Sequence, residues 1–276
     1  MIRSALFLPA ANARAIEKAR TLPADAVILD LEDSVAAEMK AAARAQAVAA
    51  LTQGGFGGRT LVVRINRLDS EWGAADAAAI AAARPAAIAI PKARSAADLA
   101  AHRAAASGLP LWAMVESCGA VLGLAGLAAA PGLQALVLGP NDLLAEMRAR
   151  PQADRRALWP AMAALVMAAR ANGLVALDGV CNDFRDLDAF AEEAQAGRDF
   201  GFDGKTLIHP AQIAPCNAAF SPSPAELDEA RAIVAAFADP ANAGKGAIRL
   251  GTRMIEGMHL AAAERLLAAG VRGGDE

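Results

Sequence analysis

Eight short apolar runs punctuate the chain: SALFLP, AVILDLED, TLVVRIN, AAIAIPK, PLWAMVES, QALVLGPND, LVALDGV and GKTLIHP. Each is nearly continuous in apolar residues, with little polar alternation. That is the pattern of strands buried on both faces, as in a parallel sheet covered by helices. Between the runs, residues 12–20, 36–52, 73–83, 95–106, 119–129, 154–171 and 184–198 carry apolar positions at helical spacing. Strand and helix therefore alternate eight times, which predicts an α/β fold of the (β/α)8 barrel type.

After the last run, AQIAPCNAAF leads into SPSP at 221–224, a proline and serine break that ends the barrel pattern. The predicted barrel domain is 1–220. Residues 221–276 form an extension with a helix over 225–237, a glycine-bearing stretch AGKGAIRLGTRMI and a last helix over 258–269. So short a tail is expected to lack a core of its own. It should pack on the barrel or on a neighbouring subunit.

Composition narrows the classes. A chain of 276 residues buries roughly 70–75% of its unfolded surface, so it needs no disulfide or structural metal to stand. The three cysteines, Cys118, Cys181 and Cys216, show no metal-like spacing. They read as reduced thiols of a cytosolic protein. A net charge of −3 argues against a nucleic-acid surface, which needs clustered Lys and Arg. The excess of alanine sits in amphipathic patterns, and no uncharged run reaches the ~18 residues needed to span a bilayer. MIRSALFLPA is too short and too soon charged for a signal peptide. The expectation is a soluble, cytoplasmic protein with neither nucleic acid nor membrane as partner.

Three isolated ionisable residues, Arg64, Glu116 and Asp142, lie at or just past the carboxyl ends of the third, fifth and sixth runs. In such barrels that rim is where chemistry occurs. Glu116 and Asp142 are the type and number of ligands Mg²⁺ takes from a protein, one or two carboxylates with other positions left to water and substrate. They could equally begin the next helices as caps and first-turn acids. Arg64, set in VVRIN, needs an anionic companion, either a ligand or Glu32 or Asp33 on the neighbouring strand. In LDLED, Asp30 and Glu32 share one strand face and Asp33 stands at its exit. Acids so close together call for a nearby cation; Glu32 and Asp33 are read as groups that orient metal ligands, and Asp30 as structural. Arg14 and Lys18 are helical neighbours that could hold phosphate groups or simply form a solvated face. His209 closes the eighth run beside Pro210, more in the manner of a fixed turn than a base.

LFLPAANARAIEKA, AVILDLEDSV, VVRIN with EWGAAD, IPK, MVESCGAV, LGPNDL, ALDGV and GFDGKTLIHPAQI resemble, in order and spacing, the citrate lyase beta-subunit-like proteins of the HpcH/HpaI aldolase superfamily. That group includes malyl-CoA and citramalyl-CoA lyases. The resemblance implies a homotrimer or hexamer that makes or breaks a C–C bond in 3-hydroxy-dicarboxyl-CoA thioesters, giving an acyl-CoA and a 2-oxo acid. By similarity, Glu116 and Asp142 would hold Mg²⁺, Arg64 would bind substrate, and Arg14, Lys18, Ile208 and His209 would lie along the CoA. Phe7 stands where relatives often carry tyrosine, and Ala10 where they carry glycine. The family's catalytic aspartate, supplied across a subunit boundary, is matched in GTRMIEG by Glu256, one methylene longer. A reach error near 1 Å can cost about 10²-fold in rate.

The resulting expectation is a Mg²⁺-dependent lyase in which Arg64 stabilises developing charge and Glu256 exchanges a proton with the enolate carbon. Three alternatives stay open: a CoA-independent class II 2-oxo acid aldolase, a thioester hydrolase, and a non-catalytic or complex-dependent lyase subunit. The class II relatives use a histidine base after the second strand. This chain has the acids of LDLED there.

Overall fold

A computed structural model describes residues 2–272. In chain order the elements are β1 (Ser4–Pro9), α1 (Ala13–Ala19), β2 (Ala26–Asp30), α2 (Lys40–Gln53), β3 (Thr60–Arg64), α3 (Gly73–Ala83), β4 (Ala87–Ile90), α4 (Ala96–Ala105) and β5 (Leu111–Val115). They continue with α5 (Cys118–Leu122), α6 (Leu124–Ala128), β6 (Leu133–Leu138), α7 (Pro140–Met147), α8 (Trp159–Ala171), β7 (Val175–Asp178), α9 (Leu187–Phe200), β8 (Gly204–Leu207) and α10 (Ile213–Phe220). The tail carries α11 (Pro224–Ala238), β9 (Ala247–Leu250), β10 (Arg253–Glu256) and α12 (Gly257–Arg272).

Strands β1 to β8 are parallel and close into a barrel in sequential order, β8 pairing back onto β1. The eight apolar runs are these eight strands. Every second residue points inward, and the interior is filled by Ala5, Ala26, Ile28, Val62, Ala87, Ala89, Trp112, Met114, Ala135, Val137 and Leu177. The alanines of β2, β4 and β6 leave room for the largest side chain of this cluster, Trp112. Small against large is how a closed barrel interdigitates at native density.

Local chemistry fixes the helix ends. Asn12, Ser95, Ser117 and Asp186 cap α1, α4, α5 and α9 by accepting a backbone N–H with their side chains. Pro140 opens α7 at a position where a missing N–H costs nothing. Two helices lie outside the predicted periodic segments: α7, whose first residues continue the apolar run of β6, and α10, whose Pro215 sits in the first turn, where proline is tolerated. The helix expected over 119–129 is instead two short helices parted at Gly123. Gly119, Gly123 and Gly126 lower the helical propensity of this stretch.

Cα packing divides the chain within α10, between Asn217 and Ala218. The C-terminal unit corrects the expectation that the tail has no core. Ile248 and Ile255 pair across the antiparallel β9–β10 hairpin and cluster with Ala230, Ile233 and Ala263 from α11 and α12. The glycine-bearing stretch is that hairpin, turned at Gly251 with φ of 60°. Ser223 and Glu226 form a capping box at the start of α11.

Candidate active site

The inward-facing positions of the barrel continue past the apolar layers to its carboxyl-end rim. On β2 the inward series 26, 28 reaches Asp30; on β3, position 62 leads to Arg64; on β5, positions 112 and 114 lead to Glu116. With Phe7, Asp142, Thr206 and Ile208 these residues line a cavity of about 440 Å³. The site is thus the uppermost layer of the barrel interior, made polar.

Arg64 and Asp30 form the best-defined pair. Arg64 donates from Nε to Asp30 Oδ1 at 2.6 Å and from Nη2 to Asp30 Oδ2 at 2.7 Å. Its Nη1 stands 3.1 Å from Glu32 Oε2. The guanidinium also lies over the Phe7 ring, 4.9 Å from its centroid, a favourable cation–π geometry. Asp30 accepts further bonds from the Glu32 and Ser34 N–H groups and from the Ser34 hydroxyl. Burial opposes its charge, but Arg64 and these donors outweigh that and hold its carboxyl below the usual range. Arg64 is held above its own ordinary value; burial opposes its charge too, and the bonds and charge of Asp30 overcome it.

Glu116 sits one residue past β5 and is 4% exposed. Its Oε1 accepts the Lys92 N–H at 2.5 Å, and its Oε2 carries no protein hydrogen bond among the described residues. Burial, with Asp142 and Glu32 nearby, pushes its carboxyl up to about 7 against the partial relief given by Lys92 and Arg64. Gly139, one residue past β6, makes the room: a Cβ there would fall 2.3 Å from Glu116 Cβ and 2.5 Å from Oε2. Asp142, in the first turn of α7, has no protein hydrogen bond among the described residues.

Lys92, from IPK at the end of β4, spans the site. Its Nζ donates to Glu32 Oε1 at 2.7 Å and lies 3.3 Å from both Asp33 carboxylate oxygens. Glu32 is therefore gripped by Lys92 and Arg64 together; burial still raises its carboxyl above the ordinary value. Behind the rim, Lys40 donates to the carbonyls of Leu31 and Glu32 and to Asn66 Oδ1. That fixes the turn carrying the acids.

The remaining candidates are scattered. Ile208 lines the cavity. His209 caps the turn Pro210–Gln212 by accepting the Ala211 N–H, and its ring stacks on Phe184 at 4.6 Å. Arg14 and Lys18 are exposed on α1 and do not line the cavity. Glu256 ends β10 in the C-terminal unit, where its N–H donates to His259 Nδ1 at 3.0 Å. Burial pushes the Cys216 thiol up to about 12, which removes it as a nucleophile.

Sequence reasoning gave no role to Lys92, Gly139 or Asn182, all of which shape this rim. Asn141 and Asn182 exchange side-chain hydrogen bonds at 3.2 and 2.8 Å. They lie, with Pro140 and Val180, between this cavity and a second one of about 440 Å³. For Lys92, the sole signal was a cation following a proline at a strand end.

The donor set fits one hard divalent cation. Among the described residues no cluster of three or more His, Cys, Asp or Glu is arranged as a metal site, so a protein-only cage is absent. What is present is a buried carboxylate with a free oxygen and a raised proton affinity, a second free carboxylate beside it, and a glycine that leaves space at their side. A Mg²⁺ site completed by substrate and water needs no more from the protein.

Barrel and rim together define an α/β-barrel protein with a carboxylate and arginine site at the strand carboxyl ends. A family model described as HpcH/HpaI aldolase/citrate lyase matches residues 3–210. The chain is 46% identical over 266 residues to a (3S)-malyl-CoA thioesterase of Cereibacter sphaeroides, covering 96% of this chain and 93% of that protein. It is 32% identical to the citrate lyase subunit beta of Escherichia coli, covering 92% and 88%. A crystal structure of CitE from Mycobacterium tuberculosis in complex with magnesium, acetoacetate and coenzyme A superposes with a TM-score of 0.82 at 31% identity, covering 97% of each chain. This chain belongs to the HpcH/HpaI aldolase/citrate lyase family. No helix among the described residues is long and apolar enough to cross a membrane.

Proposed function

We propose that this protein is a magnesium-dependent carbon–carbon lyase acting on the CoA thioester of a 3-hydroxy-dicarboxylic acid of malyl type. The observation that carries the reading is that Glu116 and Asp142 line one cavity together with Arg64. Mg²⁺ held by Glu116 and Asp142 would supply Lewis acidity toward the hydroxyl or keto oxygen of the 2-hydroxy acid end.

The protein's own groups do the rest. Cleavage releases the hydroxyl proton to solvent water, turns the C–O bond into a carbonyl and sends the C–C bond pair to the α-carbon of the departing acyl-CoA. Negative charge then builds on the thioester oxygen. Arg64 is preorganised for it: Nε and one Nη2 proton are committed to Asp30, Nη1 stands 3.1 Å from Glu32 Oε2, and the second protons of Nη1 and Nη2 are assigned to substrate. Asp30, Glu32 and Lys92 keep that cation from swinging. Asp33 extends the acidic rim beside Lys92. Glu256, on the C-terminal unit, is assigned the proton exchange at the α-carbon of substrate in a neighbouring copy of a homotrimer or hexamer. Ile208, His209, Arg14 and Lys18 are assigned to the CoA arm, the last two as phosphate partners.

One observation favours a second reading, hydrolysis of the same thioester: the 46% identical relative is a thioesterase. Both readings use the same anchoring of the hydroxy acid end. Incubating the purified protein with Mg²⁺ and malyl-CoA separates them by product. Acetyl-CoA and glyoxylate are expected for the lyase, free CoA and malate for the hydrolase. Neither pair appearing, with citramalyl-CoA and citryl-CoA also inert, would overturn both.

A further inference from the structure

The geometry points to Lys92 as a positioning residue that holds Glu116 in its metal-binding orientation through a left-handed backbone. The inference rests on the reading of Glu116 as a divalent-cation ligand. Lys92 has φ of 48°, a region that costs an L residue with a long side chain and is kept only where surrounding contacts enforce it. Those contacts are visible on both sides of the residue. Its N–H donates to Glu116 Oε1 at 2.5 Å. Its carbonyl accepts from Arg67 Nη1 at 2.9 Å, and Arg67 is itself fixed by Asp98 at 3.1 and 3.0 Å.

The left-handed turn aims the N–H of a residue just past β4 at the carboxylate just past β5, while its side chain returns across β3 to Glu32 and Asp33 of the turn after β2. Oε1 of Glu116 is thereby occupied by the protein and Oε2 is left for a cation. The ammonium and the amide act on different carboxylates, so the two arms can be tested apart. Strain at this position is part of the device: an extended residue 92 would withdraw the N–H and free Glu116 to turn.

The test is a substitution series that removes the ammonium every time and varies only the cost of the left-handed conformation: Lys92→Gly, Lys92→Asn, Lys92→Ala and Lys92→Val. Glycine and asparagine adopt it readily, alanine less so, valine least. Mn²⁺ binding to the purified full chain is measured by calorimetry alongside thermal unfolding, KM and kcat. The expected Kd for Mn²⁺ is within about threefold between the Gly and Asn variants, weaker for Ala, and weaker than Gly by more than about tenfold for Val. The Gly variant should melt no lower than the Ala variant.

A flat series of Kd values overturns the proposal; should the Val variant fail to fold, equal Kd for Gly and Ala does so. Glu116→Gln serves as the separate check. If that variant binds Mn²⁺ as tightly as the unmodified protein, the metal reading itself fails. Loss of binding in Glu116→Gln with a flat Lys92 series removes only the role of Lys92.

Discussion

Asp30 and Arg64 are register partners on adjacent parallel strands, and their side chains close a two-point ion pair at 2.6 and 2.7 Å inside the barrel mouth. Neighbouring strands bring the two backbones together whether or not a ligand is bound. In the proposed reaction the arginine would thus stand in place before substrate arrives, and a preorganised cation of this kind needs no reorganisation at the moment of reaction.

The pair predicts strong coupling. Arg64→Met should abolish turnover and destabilise the protein by about 3–5 kcal/mol, because it strands a carboxylate in a buried site. Adding Asp30→Asn should restore part of the stability and none of the activity. Urea unfolding of the two single variants and the double variant measures the interaction. Additive effects would mean the two side chains do not depend on each other.

A second prediction concerns pH. Glu116 has its carboxyl raised from 4.5 to about 7, so the metal-free native state keeps it mostly protonated below that pH. For an acid raised in this way the penalty is absent below the unfolded value of 4.5, grows between 4.5 and 7, and is complete above 7. Glu116→Gln carries no such charge. Without metal it should match the unmodified protein near pH 4.5 and exceed it above pH 7 by roughly 3 kcal/mol. Adding Mg²⁺ at pH 8 should reverse that order, since only the unmodified protein gains binding energy. Denaturant melts at both pH values, with and without Mg²⁺, decide it.

The barrel was legible in the sequence because all eight strands are buried on both faces and stand out as apolar runs. Arg64, Glu116 and Asp142 were legible as charges at the ends of such runs. The contacts that surround them in one candidate site were not. The sequence left Arg64 to choose among an anionic ligand, Glu32 and Asp33, whereas strand register gives it Asp30 first and Glu32 second. Lys92 was invisible in its role because the bond to Glu116 comes from its backbone, which no residue type encodes. The hairpin of β9 and β10 was hidden by its length: four residues a side give too few alternations to read.

Gly139 offers a third test, of space and not of conformation. Its φ of −106° suits any residue, so Gly139→Ala asks only whether a methyl group fits beside Glu116. With a Cβ 2.3 Å from Glu116 Cβ, something must move. The expected cost is about 1–3 kcal/mol of stability, as for other overpacked sites. Mn²⁺ affinity should fall at least tenfold as the carboxylate is displaced. Unchanged Mn²⁺ affinity in a folded Gly139→Ala protein would show that Glu116 can take another position and still serve.

The last prediction separates the barrel wall from its mouth. Thr206 on β8 and Ile208 just past it line the cavity, while Lys205 of the same strand is fully buried and points to the helix layer. There its Nζ meets Asp178 Oδ2 at 2.9 Å and Glu193 Oε1 at 2.7 Å, and Arg155 donates to both Asp178 oxygens at 2.8 and 2.9 Å. Burial raises the proton affinity of Asp178, but Lys205 and Arg155 overcome it and hold its carboxyl below 3.8. A depressed acid stabilises the fold above its unfolded value and loses that contribution as pH falls through its folded value. Lys205→Met removes one of two cations from two buried carboxylates and should cost about 3–5 kcal/mol at neutral pH. The deficit should hold down to about pH 4 and shrink below it, as Asp178 takes a proton in the unmodified protein as well. A deficit independent of pH across that range would assign the loss to packing of the lysine stem instead of its charge.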